Sequence, residues 1–524
     1  MTLTDATGAA ADTADTAVLD APPWGPVAPV DEELSARRTI SRGQAAVAVA
    51  LPSVVAAALA AHALTGAGPS PVRWVQAAVW AVTGAYLLSL VFRTVMVATA
   101  WTAPVIRFGE DELRAVRDED LPPYTVLVPL YREARVLPVL LDRLGRLDYP
   151  ADRLQILLLI EEDDDETRAA LPALDAPFEV VLIPPSPPRT KPKACDIGLA
   201  RARGELVVIY DAEDRPDRDQ LRKAALAFAS LPDRTVCVQA ELQYWNPWTN
   251  WLTRCFAAEY ATNFSLWLRS LDRHRLAIPL GGTSNHFRGD ALAALGGWDP
   301  YNVTEDADLG IRIARRGWEV RMMDSVTEEE ANSRLGNWIR QRSRWIKGYI
   351  QTWLVHTRHP LLLWRQLGTR RTLAFHLTMG FPTLTTLANP FFWTLTALYL
   401  CTGTRHVQAV FPPPVLYCGV VTMVAGNLLM VYCAMAGCLE RGLFRAVRVM
   451  VTIPLYWGLM SVAAYKALFQ LVRPSRRHFW ELTDHGLVEN AADAADAADA
   501  ADAVESVESV ESVDAAAARE RAPA

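Results

Sequence analysis

The sequence predicts an α/β domain with a doubly wound sheet, combined with an α-helical transmembrane bundle. Two observations carry this. Between residues 124 and 323, short β-branched apolar runs alternate with helical stretches, the pattern of buried parallel strands and crossover helices. On both sides of that region the apolar residues gather into uncharged runs long enough to cross ~30 Å of hydrocarbon as helices. Composition agrees: 51% of the 524 residues are hydrophobic and 21% charged, and the mean hydropathy is +0.09. That is too polar for an all-membrane transporter and a little high for an ordinary enzyme.

Residues 1–42 form a tail rich in Ala, Asp, Thr and Pro. It should be disordered through Glu33, because it cannot bury enough apolar surface to offset ordering entropy, and it lacks the apolar core of a cleavable signal peptide. Residues 43–107 hold two transmembrane helices, in the runs 44–71 and 74–92. Arg37, Arg38 and Arg42 precede the first and Arg93 and Arg107 follow the second, so the N-terminus and the central domain should both be cytoplasmic.

Residues 108–330 make that domain. "YTVLVPL", "LQILLLI", "FEVVLIP" and "ELVVIYD" read as strands, with "ARVLPVLLDRLGRL", "KPKACDIGLARAR" and "RDQLRKAALAFASL" as the helices between them. Ligands of such sheets bind beyond the carboxyl ends of the strands. Residues 331–371 carry Trp and Arg at helical spacing and read as interfacial helices. Residues 372–473 form a transmembrane bundle from the runs 373–400, 415–435 and 447–472. Three spans would put the C-terminus outside, yet "RPSRRHF" after the last run is strongly basic and argues for inside. Either the first run is two passes or one run is re-entrant. Residues 474–524 are a C-terminal segment and a low-complexity tail of "AAD" and "VES" repeats. The net charge of −7 reflects acidic ends and says little about partners. The seven cysteines have no metal-like spacing, which argues against structural zinc.

Four elements carry chemistry. "VLVPLYRE" and "LLLIEEDDDET" end strands with Tyr131, Glu133 and the acidic run from Glu161, where a ring and carboxylates can hold a nucleobase and ribose; a solvated charged loop explains either piece equally well. "VVIYDAEDRP" places Asp211 and Glu213 straight after a strand, two residues apart and so on one side of an extended segment, able to share a hard divalent cation. The alternative is a capping turn, and Asp217 and Asp219 fit that better. Next, Thr304-Glu305-Asp306 stands before an apolar helix, either as a plain N-cap or with Asp306 as the base that deprotonates an acceptor hydroxyl. Last, "QRSRW" offers Arg344 for a diphosphate and Trp345 for a sugar face, or else an interfacial anchor.

In this order the elements resemble family-2 glycosyltransferases of the processive type, to which cellulose, chitin and hyaluronan synthases belong. The resemblance covers residues 121–348 and implies a GT-A type nucleotide-sugar-binding domain. It implies Tyr131, Glu133, Glu161 and Lys193 as nucleotide contacts, and Asp211 and Glu213 as the holders of Mg2+ or Mn2+ and the diphosphate. It further implies Asp306, with Glu305 beside it, as the base, and Gln341, Arg344 and Trp345 as the QxxRW signature on diphosphate and acceptor. "GGTSNHFR", with Gly282 and Thr283, takes the place of the loop beside the acceptor's terminal sugar. The metal motif is DxE rather than DxD, which keeps the charge and lengthens one arm. The function so implied is inverting, metal-dependent transfer from a nucleotide sugar, UDP-glucose or UDP-N-acetylglucosamine, to a growing polysaccharide extruded through the protein's own membrane segment. Donor, glycan and lipid bilayer are the expected partners, and nucleic acid is not. Two other readings are single-sugar transfer to a lipid or lipid phosphate, and a transporter with a cytoplasmic domain.

Overall fold

The structure, a computed structural model, describes residues 22–66, 68–402, 411–481 and 483. It opens with a packed segment where disorder is expected. Trp24 lies against Gly289, and the Ser35 hydroxyl and Ala36 N–H both donate to the Asp299 carboxylate. Arg358 donates to the carbonyls of Glu33 and Ser35. The expectation of disorder through Glu33 therefore fails for residues 22–33: a few apolar and hydrogen-bonding anchors suffice to order a chain that is poor in apolar residues overall. Residues 1–21 and the "AAD" and "VES" repeats lie outside the described residues.

Helix α1 (Arg42–Thr65) starts at a capping box, in which the Ser41 hydroxyl accepts from Gln44 N–H and the Gln44 side chain accepts from Ser41 N–H. Gly66, at φ 68°, ends it in the left-handed conformation that glycine favours. Helix α2 (Pro71–Ala100) follows, and Arg93 lies within it rather than beyond it.

The four apolar runs become strands β1 (Tyr124–Leu130), β2 (Leu154–Glu161), β3 (Phe178–Ile183) and β4 (Leu206–Ile209), all parallel and joined through helices that include α3 (Leu137–Gly145) and α4 (Lys191–Leu199). After β5 (Arg215–Pro216) and α5 (Gln220–Ser230) the sheet departs from the doubly wound expectation. Strand β6 (Thr235–Tyr244) leads to α6 (Trp251–Thr262), and β7 (Asn285–Arg288) then enters antiparallel between β4 and β6. Helix α7 (Glu305–Arg315) precedes β8 (Glu319–Glu329), which is parallel to β6 and antiparallel to β5. The result is a mixed sheet ordered β3-β2-β1-β4-β7-β6-β8-β5. The second half gives no continuous apolar runs because its strands bury polar side chains such as Gln239, Glu241, Arg321 and Thr327.

Helix α8 (Leu335–His356) carries "QRSRW". Three long helices follow: α9 (Phe381–Thr402), α10 (Pro413–Glu440) and α11 (Ile453–Val472). By length and apolarity, Ala36–Thr65, Pro71–Ala100, Pro413–Glu440 and Phe444–Val472 suffice to cross a membrane. Helix α9, less apolar, packs on α2, where the Tyr86 hydroxyl donates to Asn389 Oδ1 at 2.6 Å. Helix α10 packs along α2 and sends Glu440 to Arg269 of the domain at 3.1 Å. Helix α11 is different. It lies along α8, and both its ends are tied to domain-side elements: Trp251 Nε1 donates to Thr452 Oγ1 at 2.8 Å, and Lys347 Nζ donates to Gln470 Oε1 at 3.1 Å.

Candidate active site

The carboxyl ends of β1, β2 and β4, the Gly281–Gly282 turn before β7, the start of α7 and the middle of α8 converge on one cavity of about 750 Å3. Of the residues singled out from sequence, Tyr131, Glu133, Glu161, Asp211, Glu213, Gly282, Glu305, Asp306, Gln341, Arg344 and Trp345 all line it. Two do not. Lys193 Nζ turns to the carbonyls of Pro184 and Ser186, within 3.9 Å of Glu161, and so braces the edge of the cavity. Thr283 is buried behind the cavity wall, its hydroxyl shared between the Ile209 carbonyl, at 3.0 Å, and the Asp214 carboxylate.

The lysine at the centre is Lys191, the first residue of α4. Its ammonium donates to the Gly282 carbonyl at 2.8 Å and pairs with Asp211 Oδ1 at 2.5 Å. Burial works against its charge, but Asp211 and Glu305 outweigh burial and hold it protonated. Asp211 and Glu213 share their end of the cavity with two further acids, Asp214 behind them and Glu329 at the end of β8. Burial first, then the neighbouring Asp211 and Glu213, push the carboxyl of Asp214 well above its ordinary range; burial and the same cluster do so for Glu329. Acids crowded until they hold protons suit a divalent cation, which relieves burial and repulsion together. Among the described residues no ready cage of three or more His, Cys, Asp or Glu ligands exists. A sparse site of one or two carboxylates, completed by phosphate oxygens and water, is the Mg2+ pattern, so the donor set fits.

Asp306 stands in the first turn of α7, with Oδ1 accepting from Ala307 N–H at 2.7 Å. Its Oδ2 faces Gly282, 3.6 Å from where a Cβ would be, so that glycine keeps the space before the carboxylate open. Burial raises the Asp306 carboxyl above the usual range, with Asp211 adding to it and Ala307 N–H and Lys191 opposing. Burial and then Asp306 raise Glu305 as well. Two adjacent acids here do not ionise independently.

Helix α8 closes the other side. Gln341 Oε1 accepts from Asn332 Nδ2 at 3.0 Å, which fixes the amide. Arg344 faces Glu305, Asp211, Asp306 and Glu213, and its guanidinium lies 4.5 Å from the centroid of the Trp480 ring, so the C-terminal basic-aromatic segment covers this wall of the cavity. Trp345 stacks beside Tyr260, with centroids 6.1 Å apart and planes at 29°. Arg342 is held between Phe256 and Trp345, 4.2 and 4.7 Å from the ring centroids, and donates to the Glu259 carboxylate. Sequence reasoning missed Lys191, Tyr260 and Glu329, and left the segment that holds Trp480 open between the active site and the headgroups. "TKPKACD" offers two lysines and no way to choose between them; Glu329 sits unmarked in a run of three glutamates; Tyr260 reads as core.

The cavity does not stop at Trp345. It continues between α2, α6, α9, α10 and α11, walled by residues such as Val97, Leu266, Pro382, Met430 and Met460.

Residues 206–433 match the model of the family "Glycosyl transferase family group 2", and the chain carries a family-2 glycosyltransferase domain. Among similar proteins, "Beta-monoglucosyldiacylglycerol synthase" of Synechocystis is 29% identical over 290 residues, 54% of this chain and 58% of that one. "Probable glycosyltransferase YdaM" of Bacillus subtilis is 27% identical over 239 residues, 44% of this chain and 56% of that one. "Probable glucomannan 4-beta-mannosyltransferase 3" of Oryza sativa is 26% identical over 314 residues, 57% and 52% of the two chains. The chain thus spans little more than half the length of these relatives. Among solved structures, "Mannosyltransferase PcManGT from Pyrobaculum calidifontis in complex with GDP-Man and Mn2+" aligns at 20% identity and a TM-score of 0.45, over 76% of this chain and 99% of that one.

Proposed function

We propose that this protein transfers a sugar, with inversion, from a nucleoside-diphosphate sugar to a hydroxyl borne by a membrane lipid. One observation carries the choice of acceptor: the cavity that holds the carboxylates runs on between membrane helices with mostly apolar walls. Such a wall solvates acyl chains, whereas a glycan needs hydrogen-bonding partners along its path. The name of the Synechocystis relative, a glucosyldiacylglycerol synthase, points the same way.

The donor's nucleoside lies toward Tyr131, Glu133 and Glu161, and its diphosphate toward Arg344 and Lys191. A Mg2+ or Mn2+ ion held by Asp211 and Glu213 would neutralise the diphosphate as it leaves. Asp306 takes the proton of the acceptor hydroxyl as that oxygen attacks the anomeric carbon; a raised carboxyl is a better base than an ordinary one. Single displacement needs no covalent sugar intermediate, so one carboxylate suffices and the anomeric configuration inverts. The catalytic domain faces the cytoplasm, where nucleotide sugars are made.

A second reading has its own support. The Trp345–Tyr260 pair gives a platform that would hold a sugar ring without reading which ring it is, as a polymerase extruding a polysaccharide requires. The test is to incubate membranes containing the protein with radiolabelled UDP-glucose, UDP-N-acetylglucosamine or GDP-mannose and partition the products. Label extracted into organic solvent, carrying one sugar per lipid, is expected. Label retained in a long polymer whose length collapses in Trp345→Ala would overturn the lipid reading in favour of the polymerase.

A further inference from the structure

We infer that the membrane portion of the cavity binds a lipid whose anionic group is held by Arg93 against Trp267. This rests on the reading of a lipid acceptor and names its chemistry: apolar chains, an oxyanion such as a phosphate, and the accepting hydroxyl beyond it.

Arg93 occupies an unusual position. It lies inside α2, seven residues before the end of the helix, within a run whose other residues are apolar enough to cross a membrane. An arginine that merely anchors a helix snorkels outward to the headgroups. Arg93 turns inward: its guanidinium lies 5.5 Å from the centroid of the Trp267 ring, and Nη1 points at the Met430 sulfur at 3.3 Å. Both residues, like Arg93 itself, line the cavity. Among the described residues no carboxylate pairs with it. Stacking on an indole uses the face of the guanidinium and leaves its N–H edges, and a thioether is only a weak acceptor. The group is therefore positioned by two apolar neighbours with most of its donors unspent. A planar fork of donors held in that way matches a phosphate.

The surroundings fit the rest of the ligand. Val97, Leu266 and Met430 line the cavity with Arg93, as do Thr383 and Thr386 of α9. Thr262, Tyr260, Trp345 and Asp306 line the same cavity as Arg93. A lipid seated with its phosphate at Arg93 extends its headgroup toward the catalytic carboxylates and leaves its chains in the bilayer.

The test uses the full chain in phosphatidylcholine nanodiscs doped with a phosphatidylglycerol bearing a photoactivatable acyl chain, and maps the cross-linked peptides. Cross-links on Met430–Ala434 and Trp457–Met460 are expected. They should fall about tenfold in Arg93→Gln and return in part in Arg93→Lys, which keeps the charge and loses the fork. A diacylglycerol carrying the same photoactivatable chain should label the cavity more weakly and equally in all three proteins. Labelling by the anionic probe that is unchanged in Arg93→Gln, or absent from the cavity in the unaltered protein, would overturn the inference. Folding of each variant is read independently from its binding of UDP. If the cross-links behave as expected while no lipid product forms from any nucleotide sugar, the anionic site stands and the lipid-acceptor reading fails.

Discussion

At the scale of single residues, the proposed chemistry rests on Asp306. Asp306→Asn keeps the shape and the hydrogen bond from Ala307 N–H but removes the proton acceptor. Transfer should fall by about 10^2 to 10^4, the usual contribution of a positioned base, while binding of UDP stays within a few-fold; near-normal turnover would reduce Asp306 to a helix cap. The same carboxylate sets a pH dependence. Its pKa is raised, chiefly by burial, and it must be ionised to act, so kcat/KM should decline as the pH falls through a value above the ordinary carboxylate range. That acidic limb should vanish from the residual activity of Asp306→Asn. For the metal, excess EDTA should stop transfer and Mg2+ or Mn2+ restore it; full activity in EDTA would leave Arg344 and Lys191 as the whole diphosphate clamp. The convergence of Asp211, Glu213, Asp306 and Arg344 on one cavity was legible in the sequence, because they belong to short ordered motifs of charged residues at strand and helix ends. Lys193 was taken where Lys191 reaches the centre, since the choice turns on which residue begins a helix. Glu329 was invisible, since its role comes from a strand end brought in from far along the chain.

Between elements, the helix that carries Gln341 and Arg344 is tied to the turn that carries Asp306 by hydrogen bonds from Asn302 to Thr352 at 2.9 Å and from Val303 N–H to Gln351 Oε1 at 3.3 Å, and by one close approach at a glycine. A Cβ on Gly348 of α8 would stand 2.3 Å from Thr304 Oγ1 and 2.5 Å from Thr304 Cγ2. Thr304 begins α7, and its hydroxyl is buried without a hydrogen-bond partner, so packing against α8 is what fixes it. Gly348→Ala should cost about 1–3 kcal/mol by overpacking and lower kcat more than the KM for donor, by moving the base relative to Arg344. The double variant Gly348→Ala, Thr304→Ala removes the colliding atoms and should recover most of the loss, measured by thermal unfolding and turnover. If the single variant is unchanged in both, the Gly348–Thr304 contact does not position α7. Sequence reasoning found α7 and α8 from their periodicity but not their contact, just as it found β1 to β4 and not the antiparallel insertion of β7. Local pattern reports which face of an element is apolar, and the partner of that face is settled by the rest of the chain. The polar side chains buried in β6 and β8 hid those strands for the same reason.

For the whole molecule, the open question is how many helices cross the bilayer, because the basic segment after the last run conflicts with an odd number. The pairing of helices offers a topology to test that splits no run. Helix α1 leads away from the domain and α2 returns to it. Helix α9 departs beside α2, with Asn389 at Tyr86, and α10 returns beside α2 to meet Arg269 through Glu440. Four crossings bring the chain back to the side on which it began. Helix α11 is apolar enough to make a fifth, yet Thr452 at its start meets Trp251 and Gln470 near its end meets Lys347, both on the domain side. In between, Ser461 and Tyr465 donate to the carbonyls of Thr386 and Leu387, only a few residues into α9. A helix whose two ends both meet domain-side residues is expected to lie in the boundary layer, with its inner face on α8. On that topology the arginines from Arg473 to Arg477 are expected on the cytoplasmic side, as the positive-inside rule requires. Exposed positions on both sides give the test. In a background with the native cysteines replaced, Glu110→Cys and Ser475→Cys should resist a membrane-impermeant thiol reagent in intact cells, and Gly68→Cys should react. Permeabilised cells should label all three. Reaction of Ser475→Cys in intact cells would make α11 a fifth span and place Trp480, which covers Arg344, on the wrong side of the bilayer for the active site drawn above.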